Sequence, residues 1–263
     1  MKIGVMNDPS RPLEAQVRAM GEAGFDFLDL TLEGPTDRLE SPERLRGLLA
    51  SHGMEVVGHT DPALPWAYPL ESLRRACLAE LSRAAKTFQA LGARVMNIHP
   101  CYAAPPRMKS RLLELNRAAL TEVARMAVDH GLVLALENFL PPFDTVTVFR
   151  DLLDNAPGTA LHLDAGHANL GGDDSETFIQ ALSSRLAHVH FSDNRGNADH
   201  HMPLGVGTVP WGRVVRALKA AGYDGTITLE VFCGDPDMHL IYLAASRSLV
   251  KRLWENSPGP EAP

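Results

Sequence analysis

The sequence predicts an α/β fold of a single domain, a (β/α)8 or TIM barrel, and three observations support this prediction. Eight short apolar runs alternate with longer amphipathic segments along the 263 residues, a pattern typical of a parallel sheet covered by helices. Eight such units in about 250 residues match the usual size of this barrel. No GxGxxG motif follows the first apolar run, which disfavours a Rossmann sheet. Another open doubly wound sheet is the alternative.

The predicted strands are the apolar runs, each of five to eight residues, a length typical of buried parallel strands. In order, these strands cover residues 2–6, 25–32, 54–59, 94–99, 132–137, 160–164, 186–191 and 226–231. The predicted helices follow them, at residues 12–22, 42–51, 70–91, 107–130, 145–155, 174–184, 211–221 and 236–254.

The helices are predicted from the spacing of apolar residues and from signals at their ends. Within residues 70–91, apolar side chains recur at steps of three and four, which is the helical period. Residues 41–43 are Ser-Pro-Glu, which is an N-cap followed by proline at the first helical position and an acid in the first turn. Glycines follow several of the helices, where a left-handed residue is favoured: Gly24, Gly53, Gly92, Gly131 and Gly222.

One domain is predicted over residues 1–254, because no linker or low-complexity segment interrupts the alternation. Residues 255–263 contain three prolines and a glycine and no apolar side chain larger than alanine, so we expect a flexible C-terminal tail. A homo-oligomer is left open by the sequence.

Composition excludes several classes of function. The net charge of −7 makes nucleic acid an unlikely partner, since non-specific binding depends on neutralising phosphates with Lys and Arg. No apolar run approaches about 18 residues, so no membrane helix is expected. The first ten residues, MKIGVMNDPS, lack the apolar stretch of a signal peptide, and the three cysteines form no CxxC pair. These features predict a cytoplasmic protein.

Polar residues collect where six consecutive predicted strands end, from the third to the eighth. Active sites of (β/α)8 barrels form at this carboxyl end. The residues at or near the strand ends are His59, His99, Glu137, Asp164, His190 and Glu230. Three more lie in the loops that follow the sixth and seventh strands: His167, Asp199 and His201.

Strand alternation places several of these side chains on the inner face of the barrel. Residues two apart share a face, so His162 lies with Asp164 and His188 with His190, while Glu230 also points inwards. Burying so many polar groups together is costly without compensation, and a divalent cation supplies it. Imidazole and carboxylate are the ligands of zinc, manganese or iron. Each residue taken alone is more typical of a hydrogen-bonded or ion-paired side chain.

Two of the remaining inner histidines, His162 and His188, lie lower in their strands, so we expect core or supporting roles for them. His239 lies in the last predicted helix, and we expect it on the surface. Trp66, Phe139 and Trp211 are candidates for apolar walls around a bound sugar, with ordinary packing as the alternative.

Four fragments carry a resemblance to a known family: LENFLPP (136–142), LHLDAGHANLGG (161–172), HVHFSDN (188–194) and DHHMPLGVGTVPW (199–211). They resemble the xylose-isomerase-like barrel superfamily, which includes sugar phosphate isomerases and epimerases and the apurinic-site endonucleases. The resemblance covers residues 2–254, with the motifs in the same order along the chain.

The resemblance implies two alternative sites. In the epimerase branch, one divalent metal is held by residues matching Glu137, Asp164, His190 and Glu230. The two glutamates also act there as the catalytic acid and base, and the residue matching His167 contacts the substrate. In the endonuclease branch, three zinc ions are held by residues matching His59, His99, Glu137, Asp164, His167, His190, Asp199, His201 and Glu230.

We predict from this a metal-dependent isomerase or epimerase of a sugar, sugar phosphate or polyol, using one to three Zn, Mn or Co ions. Its partner is a small sugar-like substrate, with Trp66 and Trp211 among the binding residues. The alternative is a multi-zinc phosphoester hydrolase of the apurinic-site endonuclease type, which the acidic balance and the segments HTDPALPW and HPCY disfavour. A non-catalytic metal- or sugar-binding module is the third hypothesis.

Overall fold

The computed structural model describes residues 1–33 and 41–259, and within them eight parallel strands close into one barrel. Each strand pairs with the next along the chain, and the first pairs with the eighth, which completes the circle. The strands β1 to β8 are Lys2–Met6, Phe27–Leu32, Glu55–Thr60, Val95–Ile98, Val133–Glu137, Thr159–Asp164, Leu186–Phe191 and Thr226–Leu229. The predicted (β/α)8 barrel is therefore confirmed, and the open sheet is wrong.

Eight α-helices follow the strands and surround the barrel in the described ranges. The helices α1 to α8 are Leu13–Glu22, Pro42–Ser51, Glu71–Ala90, Leu112–Asp129, Val146–Asn155, Ser175–Leu182, Trp211–Ala220 and Pro236–Asn256. None of these helices combines the length and the apolar character that crossing a bilayer requires.

Most boundaries differ from the prediction by one or two residues, and the following differences bear on the site or the tail. The predicted helix 107–130 begins with a 3-10 segment, Pro106–Arg111, and β8 ends at Leu229 rather than at 231. Helix α8 continues to Asn256, so the first two residues of the predicted tail are helical. No proline interrupts the helix before its end at Asn256, and Pro258 follows two residues later. Residues 260–263 of that tail lie outside the described residues.

The capping signals predicted at the helix ends are confirmed. The Ser41 hydroxyl accepts a hydrogen bond from the Arg44 amide at 3.2 Å, with Pro42 at the first helical position. Gly53 follows α2 with a φ of 66°, a conformation that costs glycine little and side-chain-bearing residues more.

Alternation along each strand separates two layers of side chains. In β2, Leu28 and Leu30 belong to the apolar core between strands and helices. Phe27 and Asp29 therefore point into the barrel, where the Phe27 ring lies 6.0 Å from the ring of His188. The apolar layer outside supplies the packing, and the inner layer is free to carry polar chemistry.

A register shift between β6 and β7 aligns their inner polar residues. Leu161 pairs with Leu186, but His162 pairs with His188 and Asp164 pairs with His190. One residue of β7 is skipped, as at a β-bulge. The shift places Asp164 directly beside His190 at the carboxyl end.

Gly58, next to His59 in β3, lets helix α3 pack closely on the sheet. A Cβ atom at this position would lie 2.5 Å from the ring of Phe88. We expect Gly58→Ala to lower the free energy of unfolding by about 1–3 kcal/mol, because the fully buried ring must move. Denaturant unfolding followed by circular dichroism measures this change.

The matched control is Gly47→Ala in helix α2, where no atom would lie within 4 Å of the new methyl group. Here we expect stabilisation by roughly 0.5–1 kcal/mol, since alanine is the better helix former. Equal effects of the two substitutions would contradict the packing argument.

Candidate active site

The structure brings all nine predicted polar residues to the carboxyl end of the barrel. They come from six neighbouring strands and the loops after them, so side chains far apart in sequence meet. His59 lies within β3, Glu137 and Asp164 end β5 and β6, and His190 lies within β7. The other five follow their strands directly or lie in the next loop: His99, His167, Asp199, His201 and Glu230.

Glu137 is the centre of the first group. One of its oxygens, Oε2, lies 2.9 Å from His99 Nε2, 3.2 Å from His162 Nδ1 and 3.4 Å from His59 Nε2. Burial by itself would raise the pKa of Glu137, but the charges and hydrogen bonds of these imidazoles hold the pKa well below its usual range. The buried side chain is therefore a carboxylate, able to accept a proton or bind a cation.

The second group consists of Asp164, His190 and Glu230. His190 Nδ1 lies 3.0 Å from Glu230 Oε2 and 4.0 Å from Asp164 Oδ2. Within residues 1–33 and 41–259, Asp164 Oδ2 is buried without a hydrogen-bond partner. Burial raises the pKa of Asp164 to about 7, and the nearby charge of Glu137 acts in the same direction. A positive ion at this point would relieve both effects.

The third group joins Asp199 and His201, which lie nearer the solvent on the loop after β7, to the buried His167, which follows β6. Asp199 Oδ2 lies 3.1 Å from both His167 Nε2 and His201 Nε2. His201 has a φ of 46°, a conformation that residues with side chains adopt rarely and mostly at functional sites. Burial by itself would lower the pKa of His201, but the charge of Glu230 and the bond to Asp199 raise it to about 9.

These groups meet the chemical requirements of a divalent metal site. In two sets, one ligand atom from each residue lies within 4.8 Å of the others: His59, His99 and Glu137, and Glu137, Asp164 and His190. Imidazole nitrogen with carboxylate oxygen suits zinc or manganese. The unpaired oxygen of Asp164 is an atom that such an ion would satisfy.

Asn138, which the sequence analysis did not select, holds Asp164 in place. Its side-chain oxygen accepts a hydrogen bond from the Asp164 amide at 2.7 Å, and its side-chain nitrogen donates to the Asp164 carbonyl at 2.9 Å. Its carbonyl lies 3.0 Å from His167 Nδ1. In the sequence, its position directly after Glu137, where β5 ends, is the feature that points to a role for Asn138.

Asp193 holds the loop that carries the third group. Its carboxylate accepts hydrogen bonds from the amides of Gly205 at 2.7 Å and Val209 at 3.2 Å. Its backbone pairs with Met202 in an antiparallel bridge. The loop therefore returns to β7, with Asp199 and His201 held above the site.

The two tryptophans predicted as walls of a sugar site, Trp66 and Trp211, both lie in packed surroundings. Trp66 is buried, and its indole N–H donates to the His99 carbonyl at 3.1 Å. Trp211 packs on Phe191 in the core, and its N–H donates to Asp193 at 2.9 Å. Burial of both rings leaves neither N–H group unpaired, because each finds an acceptor. Phe139 instead lies against the site, 4.4 Å from the ring of His167.

His239 differs from the expectation of a surface residue. It is 5% exposed, and its Nε2 lies 2.7 Å from the Val231 carbonyl, so it is not a surface residue. The start of α8 packs over the end of β8, which a helical pattern by itself does not reveal.

Residues 17–252 match a known protein family, the xylose isomerase-like TIM barrels. The chain belongs to this family. The resemblance seen in the four sequence fragments is therefore confirmed, as is the barrel.

Named relatives of this barrel family match nearly the whole chain. A ketose 3-epimerase from Arthrobacter globiformis is 27% identical over 260 residues, covering 91% of this chain and 82% of the relative. An L-ribulose 3-epimerase from Methylomonas sp. is also 27% identical, and the match covers 92% of this chain and 85% of that relative. Among solved structures, D-psicose 3-epimerase from Clostridium cellulolyticum H10 has a TM-score of 0.81 at 17% identity. The match covers 97% of this chain and 99% of that structure's chain. That last likeness shows the shared fold.

Proposed function

We propose that the chain is a metal-dependent epimerase of a free or substituted ketose, acting at the carbon next to the carbonyl. The 3-epimerase names of the two relatives support the reaction class. The single observation that carries the proposal is the placement of Glu137 and Glu230. These carboxylates end β5 and follow β8, three strands apart around the barrel, and Asp164 and His190 come from the two strands between them.

Epimerisation needs two bases on opposite faces of one carbon. One glutamate takes the proton from C3 of the sugar, leaving an enediolate, and the other returns a proton to the opposite face. The bond broken and the bond formed are both C–H bonds, so no redox partner is required. Glu137 is 1% exposed and Glu230 12%, so the two proton carriers differ in depth.

Glu137, Asp164, His190 and Glu230 would hold the divalent ion in this proposal. When bound, such an ion stabilises the negative charge that develops on the carbonyl and hydroxyl oxygens of the sugar. The protein's own part is positioning. Asn138 fixes Asp164, and the Phe139 ring offers an apolar face beside His167 for the carbons of a sugar.

Deuterium transfer tests this proposal directly. We expect the protein, loaded with Mn²⁺ or Co²⁺ in D2O, to convert a ketose such as L-ribulose or D-tagatose into its C3 epimer. The product should carry one solvent deuterium at C3, because carboxylate protons exchange with solvent. Mass spectrometry and NMR measure the label. An epimer formed without deuterium, or no epimer from any ketose tested, would contradict the proposal.

A multi-zinc phosphoester hydrolase remains the second candidate, because of one observation. His59 and His99 lie close to Glu137, and His201 lies 3.1 Å from Asp199. The site therefore contains more candidate ligands than a single ion requires. Clustered ions of this kind activate water and stabilise the leaving oxygen. Hydrolysis of bis(4-nitrophenyl) phosphate by the zinc-loaded protein tests this candidate.

The cytoplasmic location and the absence of a nucleic-acid partner stay predictions, and a homo-oligomer stays open. A sugar-like small molecule is the partner that the proposed function requires.

A further inference from the structure

Asp29 is a buried acid that the proposed reaction does not use. It lies in β2, is fully buried, and points into the barrel, since Leu28 and Leu30 on either side belong to the outer core. A carboxylate is rarely buried without a partner that needs its charge. Its surroundings therefore indicate its role.

A single oxygen of Asp29 lies within hydrogen-bond distance of three side chains from β7 and β8. Its Oδ2 lies 2.8 Å from His190 Nε2, 3.1 Å from His188 Nε2, and accepts a hydrogen bond from the Thr228 hydroxyl at 2.8 Å. Asp29 Oδ2 therefore offers an acceptor to His190 Nε2 inside the barrel.

A neutral imidazole carries one N–H, and the position of that hydrogen decides which nitrogen can bind a metal. In His190, Nε2 faces Asp29, whereas Nδ1 faces Glu230 at 3.0 Å and Asp164 at 4.0 Å. A carboxylate at Nε2 keeps the hydrogen there. The lone pair then lies on Nδ1, directed at the proposed ligand set.

We propose that Asp29 is the positioning residue of the metal centre: it holds His190 as the Nε2–H tautomer, so that Nδ1 is the ligand atom. This inference rests on the proposed function, since it presumes an ion beside His190. Carboxylate partners of this kind orient metal-binding histidines and raise their basicity.

His188 supports Asp29 from below. Its Nδ1 lies 2.6 Å from the Thr226 hydroxyl, and its Nε2 lies 3.1 Å from Asp29. We assign the hydrogen to Nε2, with Thr226 donating to Nδ1. A chain of hydrogen bonds thus runs from Thr226 through His188 and Asp29 to His190, and it fixes the orientation of the Asp29 carboxylate.

The first test is the affinity for Zn²⁺, measured by competition with a chromophoric chelator. We expect Asp29→Asn to weaken binding about 10–100-fold, because an amide is a poorer partner for Nε2–H. The matched control is Asp26→Asn, which makes the same change in a carboxylate that accepts a hydrogen bond from the Ile3 amide at 2.8 Å and should leave the affinity unchanged. An equal loss in both variants, or none in Asp29→Asn, would overturn the inference.

The second test needs no substitution at Asp29. Long-range proton–nitrogen correlation of ¹⁵N-histidine protein reports which ring nitrogen carries hydrogen, with the His190 signals assigned by their loss in His190→Gln. We expect a protonated Nε2 before and after zinc loading. Loss of the Nε2 hydrogen on loading would place the ion between Asp29, His188 and His190 instead, and would overturn the inference.

The two tests separate this inference from the proposed function. A wild-type protein that binds no divalent ion would end the proposed metal-dependent epimerase, and the Asp29 inference with it. A wild-type protein that binds zinc equally well as Asp29→Asn would end only the inference.

Discussion

Replacing Glu230 or Glu137 by glutamine should lower epimerase turnover about 10²–10⁴-fold, the usual contribution of a general acid or base. The amide has nearly the same shape as the carboxylate but cannot accept a proton. Glu230 lies 3.0 Å from His190, and Glu137 lies 2.9 Å from His99, and glutamine keeps a side chain of the same length and shape at both positions. Initial rates with the ketose that the wild type turns over best measure the change.

Glu114→Gln is the matched control for these substitutions. Glu114 lies in α4, is 64% exposed, and pairs only with Arg111 among the contacts observed for it. Removing an exposed ion pair changes stability by about 0–1 kcal/mol and should leave turnover unchanged. Metal content is measured in every sample, so that loss of a proton carrier is separated from loss of the ion. Full turnover by either metal-loaded active-site variant would disprove the proton-transfer role.

Removing divalent ions with a chelator should abolish turnover, and one ion per chain should restore it. The same ion should raise the melting temperature, because it neutralises carboxylates that repel one another in the barrel. At a concentration of 100 times Kd the gain is about 2.7 kcal/mol, which corresponds to roughly 5–10 °C for a chain of this size. Calorimetry with elemental analysis measures both quantities.

Proton and ion compete for Asp164 in this experiment. Burial raises the pKa of Asp164 to about 7, so the protonated form predominates below that pH, and metal affinity should fall as the pH drops. Saturation at two or three ions per chain would instead support the phosphoester hydrolase. Unchanged activity after complete removal of metal would disprove both candidate functions.

The barrel and the polar end of the barrel were predictable because both depend on short-range patterns. Successive side chains of a strand point to opposite faces. Because the apolar Leu163 and Val189 pack against the helices, their neighbours Asp164 and His190 must point into the barrel. The order of strands in a parallel barrel then brings their carboxyl ends together.

Other features depend on contacts between distant parts of the chain, and no local pattern encodes them. Asp29 meets His190 across 161 residues, and the packing partners of Trp66 and Trp211 decided that both rings are buried. An acid within the apolar run FLDLTL shows only that β2 has a polar inner residue. Residue types and their periodicity therefore determine the barrel and which residues gather at its end. Closure of the barrel alone decides which atoms face each other, because hydrogen bonding and packing act over a few ångströms between strands far apart in sequence.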